Sequence, residues 1–255
     1  MIFDATLLSR VEDAGLNASA PPQQRWIDGW LVRYSPGKAK RARCVNPVAD
    51  GRLPLAQRLA ECERVLADAG LALVVRITPF ARPDGLDDWL AAQGLLRLDD
   101  SWTMVATNLP REPFELPADM RLEPAGAARY AETIGALRDS PAPQRDAHAQ
   151  RIALSPVPYQ GWLLLRGDEV CACAQVALDD DLVGLYDVFT APASRDQGLS
   201  TLLCSMLLAQ SRAAGARVAY LQVDAGNAPA RRVYQRLGFD DAYAYHYRAR
   251  EPERV

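Results

Sequence analysis

Histidine is nearly missing from this chain, with two in 255 residues, which leaves little for a histidine-built metal centre. The five cysteines are an odd count and do not read as the disulfide framework of a small secreted domain. Cys171 and Cys173 form a C-x-C inside "EVCACAQVAL", where alternation puts both on one face of a strand. Small buried hydrophobes in a reducing cytoplasm describe them better than a metal or redox pair. No apolar run reaches the roughly 18 residues that a spanning helix needs. The N-terminus "MIFDATLLSRVEDAG" carries acids early and has no basic stretch ahead of an apolar one, so it does not read as a secretory signal. A net charge of −3 argues against a polyanion-binding protein. These absences predict a cytoplasmic protein with no metal, no membrane span and no nucleic-acid partner. With 49% hydrophobic and 24% charged residues, the composition is that of a globular protein, long enough for two modest domains.

What is present is periodicity. From residue 120 onward, "MRLEP" reads as a strand, and "AGAARYAETIGALRDS" and "PQRDAHAQRIAL" as helices. "GWLLLRG", "EVCACAQVAL" and "LVGLYDVFT" form a run of strands, the first two joined by the tight turn "RGDE". The helix "LLCSMLLAQSRAAG", the buried strand "ARVAYLQV", the helix "NAPARRVYQRLGF" and the strand "AYAYHYRAR" complete an α/β arrangement, a mixed β-sheet flanked by helices. The first half carries an echo: helix "LAQRLAECERVLADAG", strand "LALVVRIT", helix "PDGLDDWLAAQGL", strand "SWTMVAT". Helix, glycine, strand, helix, glycine, strand thus occurs twice, the mark of a duplicated unit. The proline-rich "TNLPREPFELPADM" is the natural linker. The expected division is 1–108, a linker at 109–119, and 120–255.

The echo fails ahead of its first helix, where the second half has "RDQGLS" and the first has "NPVADGRLP". A glycine in a turn entering a helix lets a phosphate approach unpaired backbone amides, and the helix dipole favours negative charge there. Arg195 can add a charge-assisted contact beside Gly198; an ordinary strand-to-helix turn reads the same way. The strands "YDVFT" and "AYLQVD" on either side of that helix, if they splay apart, expose N–H and C=O groups. An extended ligand bearing amides, such as pantetheine, could pair there. Asn227, Pro229 and Gly238 read as the cap, first turn and stop of a helix, and Tyr234 on that helix reads as core.

Together these pieces resemble the GNAT superfamily of acyl-CoA-dependent N-acetyltransferases over about residues 120–250. Arg195 and Gly198 match its pyrophosphate loop, with Ser200 in place of the last small residue. Asn227, Ala230, Tyr234, Leu237, Gly238 and Phe239 match its later signature, and Val188 and Thr190 its pantetheine-binding strand. The resemblance implies two GNAT-like halves in tandem, the first degenerate and without the cofactor loop. It implies acetyl-CoA as co-substrate, held by Val188, Phe189, Thr190, Arg195, Asp196, Gln197, Gly198, Leu199, Ser200, Thr201 and Asn227. The acceptor would be an amine-bearing small molecule or a peptide N-terminus, attacking directly in a ternary complex, and the family leaves room for a homodimer. Tyr234 would donate to the departing thiolate and the Val188 N–H to the oxyanion. The glutamate that many members carry on the strand before the loop is absent, so Asp187 stands as the candidate base, with an exposed edge carboxylate as its plain reading. Asp224 is second. A non-enzymatic acyl-CoA sensor on the same fold is the rival function. Two other features stand apart: the basic "GKAKRAR" at 37–43 is expected to be a solvated hairpin, and Trp26 and Trp30 are expected in the core.

Overall fold

The computed structural model describes residues 3–35 and 39–251. The first part of the chain runs α1 (Ala5–Ala18), β1 (Gln24–Ile27), β2 (Trp30–Arg33), β3 (Val45–Asn46), α2 (Leu55–Asp68), β4 (Val74–Ile77), α3 (Leu86–Ala92) and β5 (Leu96–Ala106). The second runs β6 (Met120–Ala125), α4 (Ala127–Leu137), α5 (Ala142–Ala153), β7 (Tyr159–Arg166), β8 (Glu169–Asp179) and β9 (Leu182–Thr190). It ends with α6 (Leu199–Ala213), β10 (Val218–Asp224), α7 (Ala228–Arg236) and β11 (Asp240–Ala249). Every element expected after residue 120 is present in the expected order, and the fold is α/β with a mixed sheet flanked by helices. The echo holds in element order too, as α2-β4-α3-β5 and α6-β10-α7-β11.

The chain forms two compact units, and they do not follow the expected break near residue 108. One comprises 1–18, 103–223 and 227–242; the other comprises 19–102, 224–226 and 243–255. The last strand of each repeat, β5 and β11, begins in one unit and ends in the other. Helix α1 belongs with the later residues because it packs on β8 and β9. Arg10 there pairs with Asp181, and Asn17 Nδ2 donates to Asp179 Oδ2 at 2.8 Å. The segment expected as a linker is irregular, as its prolines dictate, yet it is tied to α6. Arg212 Nη1 donates to the Leu109 carbonyl at 2.8 Å, and Ser205 Oγ accepts from the Phe114 N–H at 3.0 Å.

In the unit built on residues 19–102, the strand order is β1-β2-β3-β4-β11. Its core gathers Trp30, Val32, Leu59, Cys62, Leu66, Val75 and Leu90. The α2 residues in that list recur at helical spacing, which is why the helix lies flat on the sheet. Trp26 departs from its expectation: it sits on β1, at the end of this order, and is 62% exposed. In the basic stretch 37–43, Gly37 and Lys38 lie outside the described residues. The remainder is not a solvated hairpin. Lys40–Ala42 is a 3-10 turn, and Lys40 pairs with Asp99 and lies over the Tyr247 ring.

The other unit carries the order β10-β9-β8-β7-β6. All neighbours there are antiparallel except β9 and β10. Strand β8 is buried continuously from Cys171 to Ala177, because both α1 and α6 pack on it. That burial explains why "CACAQVA" lacks polar alternation. All five cysteines are free and buried.

Candidate active site

The site begins where β9 parts from β10. The two pair in parallel through Leu182–Val218, Val183–Ala219, Gly184–Tyr220 and Leu185–Leu221, and then stop. Strand β9 nevertheless continues to Thr190. From Tyr186 on, its backbone groups on that side have no partner in β10, so the expected splay is present.

Just past the parting, β9 bulges. On the β8 side Gln175 faces Tyr186 and Cys173 faces Phe189, so Asp187 and Val188 together oppose the single residue Ala174. Asp187 takes φ +48°, the left-handed region that aspartate tolerates better than most residues. Three groups from the two preceding helices converge on it. Tyr130 Oη on α4 donates to the Asp187 carbonyl at 3.1 Å, and Arg138 Nη1 lies 3.2 Å from Oδ1. His148 Nε2 on α5 lies 3.1 Å from Oδ2, with its N–H not aimed squarely at the oxygen. Burial alone would raise the Asp187 carboxyl, but His148 and Arg138, with Arg151 behind them, outweigh it and hold it below the usual carboxylate range. Asp187 is therefore a fixed anion in an ion-pair cluster, not the exposed edge carboxylate of its plain reading.

Tyr130 can reach the bulge because β7 carries Gly161 beneath it. A Cβ built there would come within 2.5 Å of the Tyr130 ring. The ring is fully buried, and that burial, with Cys173 and Asp187 nearby, raises its phenol. Phe189 sits below Arg138 (5.0 Å to the ring centroid) and Arg195 (5.9 Å).

The loop follows. A 3-10 turn, Pro192–Ser194, leads to Arg195 in extended conformation, Asp196 at φ +60° and Gly198 at φ +74°. Gly198 is the N-cap of α6 and brings no side chain to cap it. The first intrahelical bond at this end is Leu202 N to Gly198 O, at 3.0 Å. The N–H groups of Gly198, Leu199, Ser200 and Thr201 are thus left outside the helix ladder. Nothing lies within 4 Å of a Cβ built on Gly198, so the space on that side of the turn is open. Arg195 is exposed and makes no ion pair among the described residues. Gln197 Oε1 accepts from Arg166 Nη1 at 3.2 Å. The Leu199 side chain is buried, so only its N–H faces the loop.

Asn227 caps α7, its Oδ1 accepting from the Ala230 N–H at 3.2 Å. Tyr234 on that helix is buried, edge-on to Phe239, and burial raises its phenol well above the ordinary value. It stays protonated at any working pH. Asp224 Oδ1 accepts from the Gly226 N–H at 2.8 Å, a local turn. Residues that sequence reasoning missed are His148, Arg138, Tyr130 and Gly161. Each acts through tertiary contact with the bulge, and the only hint in the sequence was that one of two histidines falls on a helix of this half.

Residues 128–239 match the family described as "Acetyltransferase (GNAT) family". The chain is 26% identical over 229 residues to a Bacillus subtilis (strain 168) protein called uncharacterized N-acetyltransferase YobR, covering 88% of this chain and 91% of that one. Among solved structures it resembles a GCN5-related N-acetyltransferase from Kribbella flavida, with TM-score 0.68, 19% identity and coverage of 99% and 98%. It also resembles a tandem GNAT protein from the clavulanic acid biosynthesis pathway, with TM-score 0.58, 14% identity and coverage of 78% and 70%. At those identities the structural likeness is one of fold. No helix among the described residues is long and apolar enough to cross a membrane. Residues 128–239, from α4 to the residue before β11, form a domain that matches the GNAT acetyltransferase family, and the whole chain has a GNAT-like fold.

Proposed function

We propose that this chain transfers the acetyl group of acetyl-CoA to a primary amine, of a small molecule or a peptide N-terminus, by direct attack in a ternary complex. One observation carries the reading. The parting of β9 from β10, the bulge at Asp187–Val188 and the uncapped start of α6 follow one another within residues 185–201. A ligand with amides along its length and a diphosphate at one end fits that sequence of features. The unpaired edge of β9 at Val188, Phe189 and Thr190 takes the pantetheine amides. The N–H groups of Gln197, Gly198, Leu199, Ser200 and Thr201, with the Asp196 turn and the Arg195 guanidinium, take the diphosphate. Asn227, whose Nδ2 is free once Oδ1 caps α7, faces the same ligand.

Acetyl-CoA, when bound, supplies the activated thioester. The chain supplies the rest. The Val188 N–H, freed by the bulge, donates to the carbonyl oxygen as charge develops on it. The buried Tyr234 phenol donates to the departing sulfur. The proton of the attacking amine falls to the charged cluster at Asp187. Residues 1–108 keep the element order of the second half and lack its loop, so they contribute no second cofactor site.

The test is a screen of the intact chain with acetyl-CoA against amines and peptide N-termini, reading release of CoA thiol, beside calorimetric binding of CoA. Release with a subset of amines is the expected result. CoA binding with no release from any amine would favour the acyl-CoA sensor, and no CoA binding would remove both readings.

A further inference from the structure

Asp187 is poorly suited to take a proton itself, because the cluster around it stabilises its anion and weakens it as a base. The group beside it is suited. His148 presents Nε2 to Asp187 Oδ2 at 3.1 Å, and that nitrogen is buried. Nδ1, by contrast, is neither buried nor hydrogen-bonded among the described residues. An imidazole whose one nitrogen faces a carboxylate has its tautomer fixed, with the proton on that nitrogen and the lone pair on the other. The carboxylate also stabilises the imidazolium that forms when the lone pair takes a proton. The groups facing this pair are Tyr130 and Arg138 on α4, Arg151 on α5, Tyr159 on β7, Cys173 on β8 and Asp187 on β9. Among them Arg138 and Arg151 are the fixed cations. They disfavour an ammonium ion at the bulge and so favour an acceptor that has shed its proton.

We infer that His148 is the proton acceptor for the incoming amine, through Nδ1, and that Asp187 is its positioning residue. This rests on the acetyl-transfer reading above. As the amine nitrogen bonds to the acetyl carbon, its N–H becomes acidic and the proton passes to Nδ1. The carbon–sulfur bond breaks with its electron pair on sulfur, which takes a proton from Tyr234 or from water. His148 then returns its proton to solvent, and Tyr234 regains one from there. Asp187 keeps its charge throughout. Its backbone, at φ +48° with Tyr130 on its carbonyl and Arg138 and His148 on its carboxylate, ties the orientation of the imidazole to the peptide that carries the Val188 N–H.

A role limited to bracing the bulge gives different results, and His148→Gln separates the two. Glutamine can donate to Asp187 and keep the brace, but it cannot accept a proton. The expected outcome is a fall in kcat of about 10²–10⁴-fold with Kd for acetyl-CoA unchanged. The acid limb that the base imposes on the kcat profile should vanish. Acceptors of low basicity, such as hydrazines and arylamines, should recover a large part of the loss. A folded Gln variant that keeps the acid limb, or loses rate equally for every acceptor, overturns the inference.

A second measurement does not depend on turnover. The chain has two histidines, so ring nitrogen resonances can be assigned by difference. Those of His148 should show the proton on Nε2, Asp187→Asn should abolish that preference, and the His246 pattern should stay in place. A His148 tautomer indifferent to Asp187 refutes the pairing. If the wild-type chain binds CoA and acetylates no amine while the resonances do couple, the transfer reading fails, and with it the proton-acceptor role.

Discussion

Replacing Gly198 with alanine separates the proposed phosphate cradle from the fold that carries it. The residue sits at φ +74°, and a Cβ there meets nothing within 4 Å. The folded chain therefore suffers no clash, only the cost of holding an L-residue in the left-handed region, about 1–2 kcal/mol. At roughly 2–4 °C per kcal/mol for a chain of this size, Tm should fall by about 2–8 °C. Affinity should respond on a different scale. In the proposed cradle the methyl group fills the open space beside the turn and holds a diphosphate oxygen away from its amides. Losing one charge-assisted hydrogen bond, worth about 1.5–3 kcal/mol, raises Kd by about 10–200-fold. Titration calorimetry with CoA measures that change. Pantetheine, which lacks the diphosphate, is the control, and its weaker binding should be the same in both proteins. A folded Gly198→Ala variant with unchanged Kd for CoA would refute the cradle, and equal losses for CoA and pantetheine would point to a general disturbance of β9.

Three further outcomes follow from the same geometry. Tyr234→Phe should lower kcat by ~10–100-fold, near or below the low end for a general acid, with acetyl-CoA affinity held; steady-state kinetics beside calorimetry checks this, and full kcat in the Phe variant returns Tyr234 to a packing role alone. Gly161→Ala should destabilise the chain by about 1–3 kcal/mol, because the new Cβ would lie 2.5 Å from the buried Tyr130 ring; a thermal melt as steep and as late as wild type would contradict that packing. Asp187 is held below its ordinary range when folded, so on acidification the unfolded chain takes up a proton before the native one does, and acid favours unfolding. That contribution is complete above the unfolded aspartate value of about 3.9 and is lost as pH falls below it. Melts from pH 6 to pH 3 should accordingly show a shallower loss for Asp187→Asn than for wild type, and parallel curves would refute the ion-pair cluster.

Much of this was legible in sequence because it rests on local chemistry. Strand β9 was readable from "LVGLYDVFT", α6 from its apolar run, and the loop between them from Arg195 and Gly198. Capping by Asn227 needs only a side chain three residues from its target. The bulge was not legible. Its signal is a positive φ at Asp187, and periodicity registers side-chain alternation, not one extra residue in a ladder. Helix α1 escaped for another reason. Its partners, Asp179 and Asp181, lie more than 160 positions away, and nothing within fourteen residues shows which unit they will join. The two compact units differ from the expected division near residue 108 for the same cause. Composition marks where the chain is irregular, but the exchange of β5 and β11 is decided by strand pairing.

The missing glutamate on β9 and the bulge at Asp187 are connected. A residue at φ +48° inside a strand must tolerate the left-handed region, and short side chains that accept hydrogen bonds do so at least cost. Aspartate meets that demand and glutamate is not enriched there. Once the short carboxylate is turned toward α4 and α5, Arg138 and His148 are within 3.2 Å of it, and the guanidinium charge together with the imidazole Nε2 stabilises its anion and makes it a poor base. The bulge that is proposed to offer the Val188 N–H to an oxyanion thus disables the carboxylate next to it as a proton acceptor. If the chain transfers acetyl groups, the proton needs another taker. The imidazole that already touches Asp187, with one nitrogen open, is the neighbour whose chemistry fits.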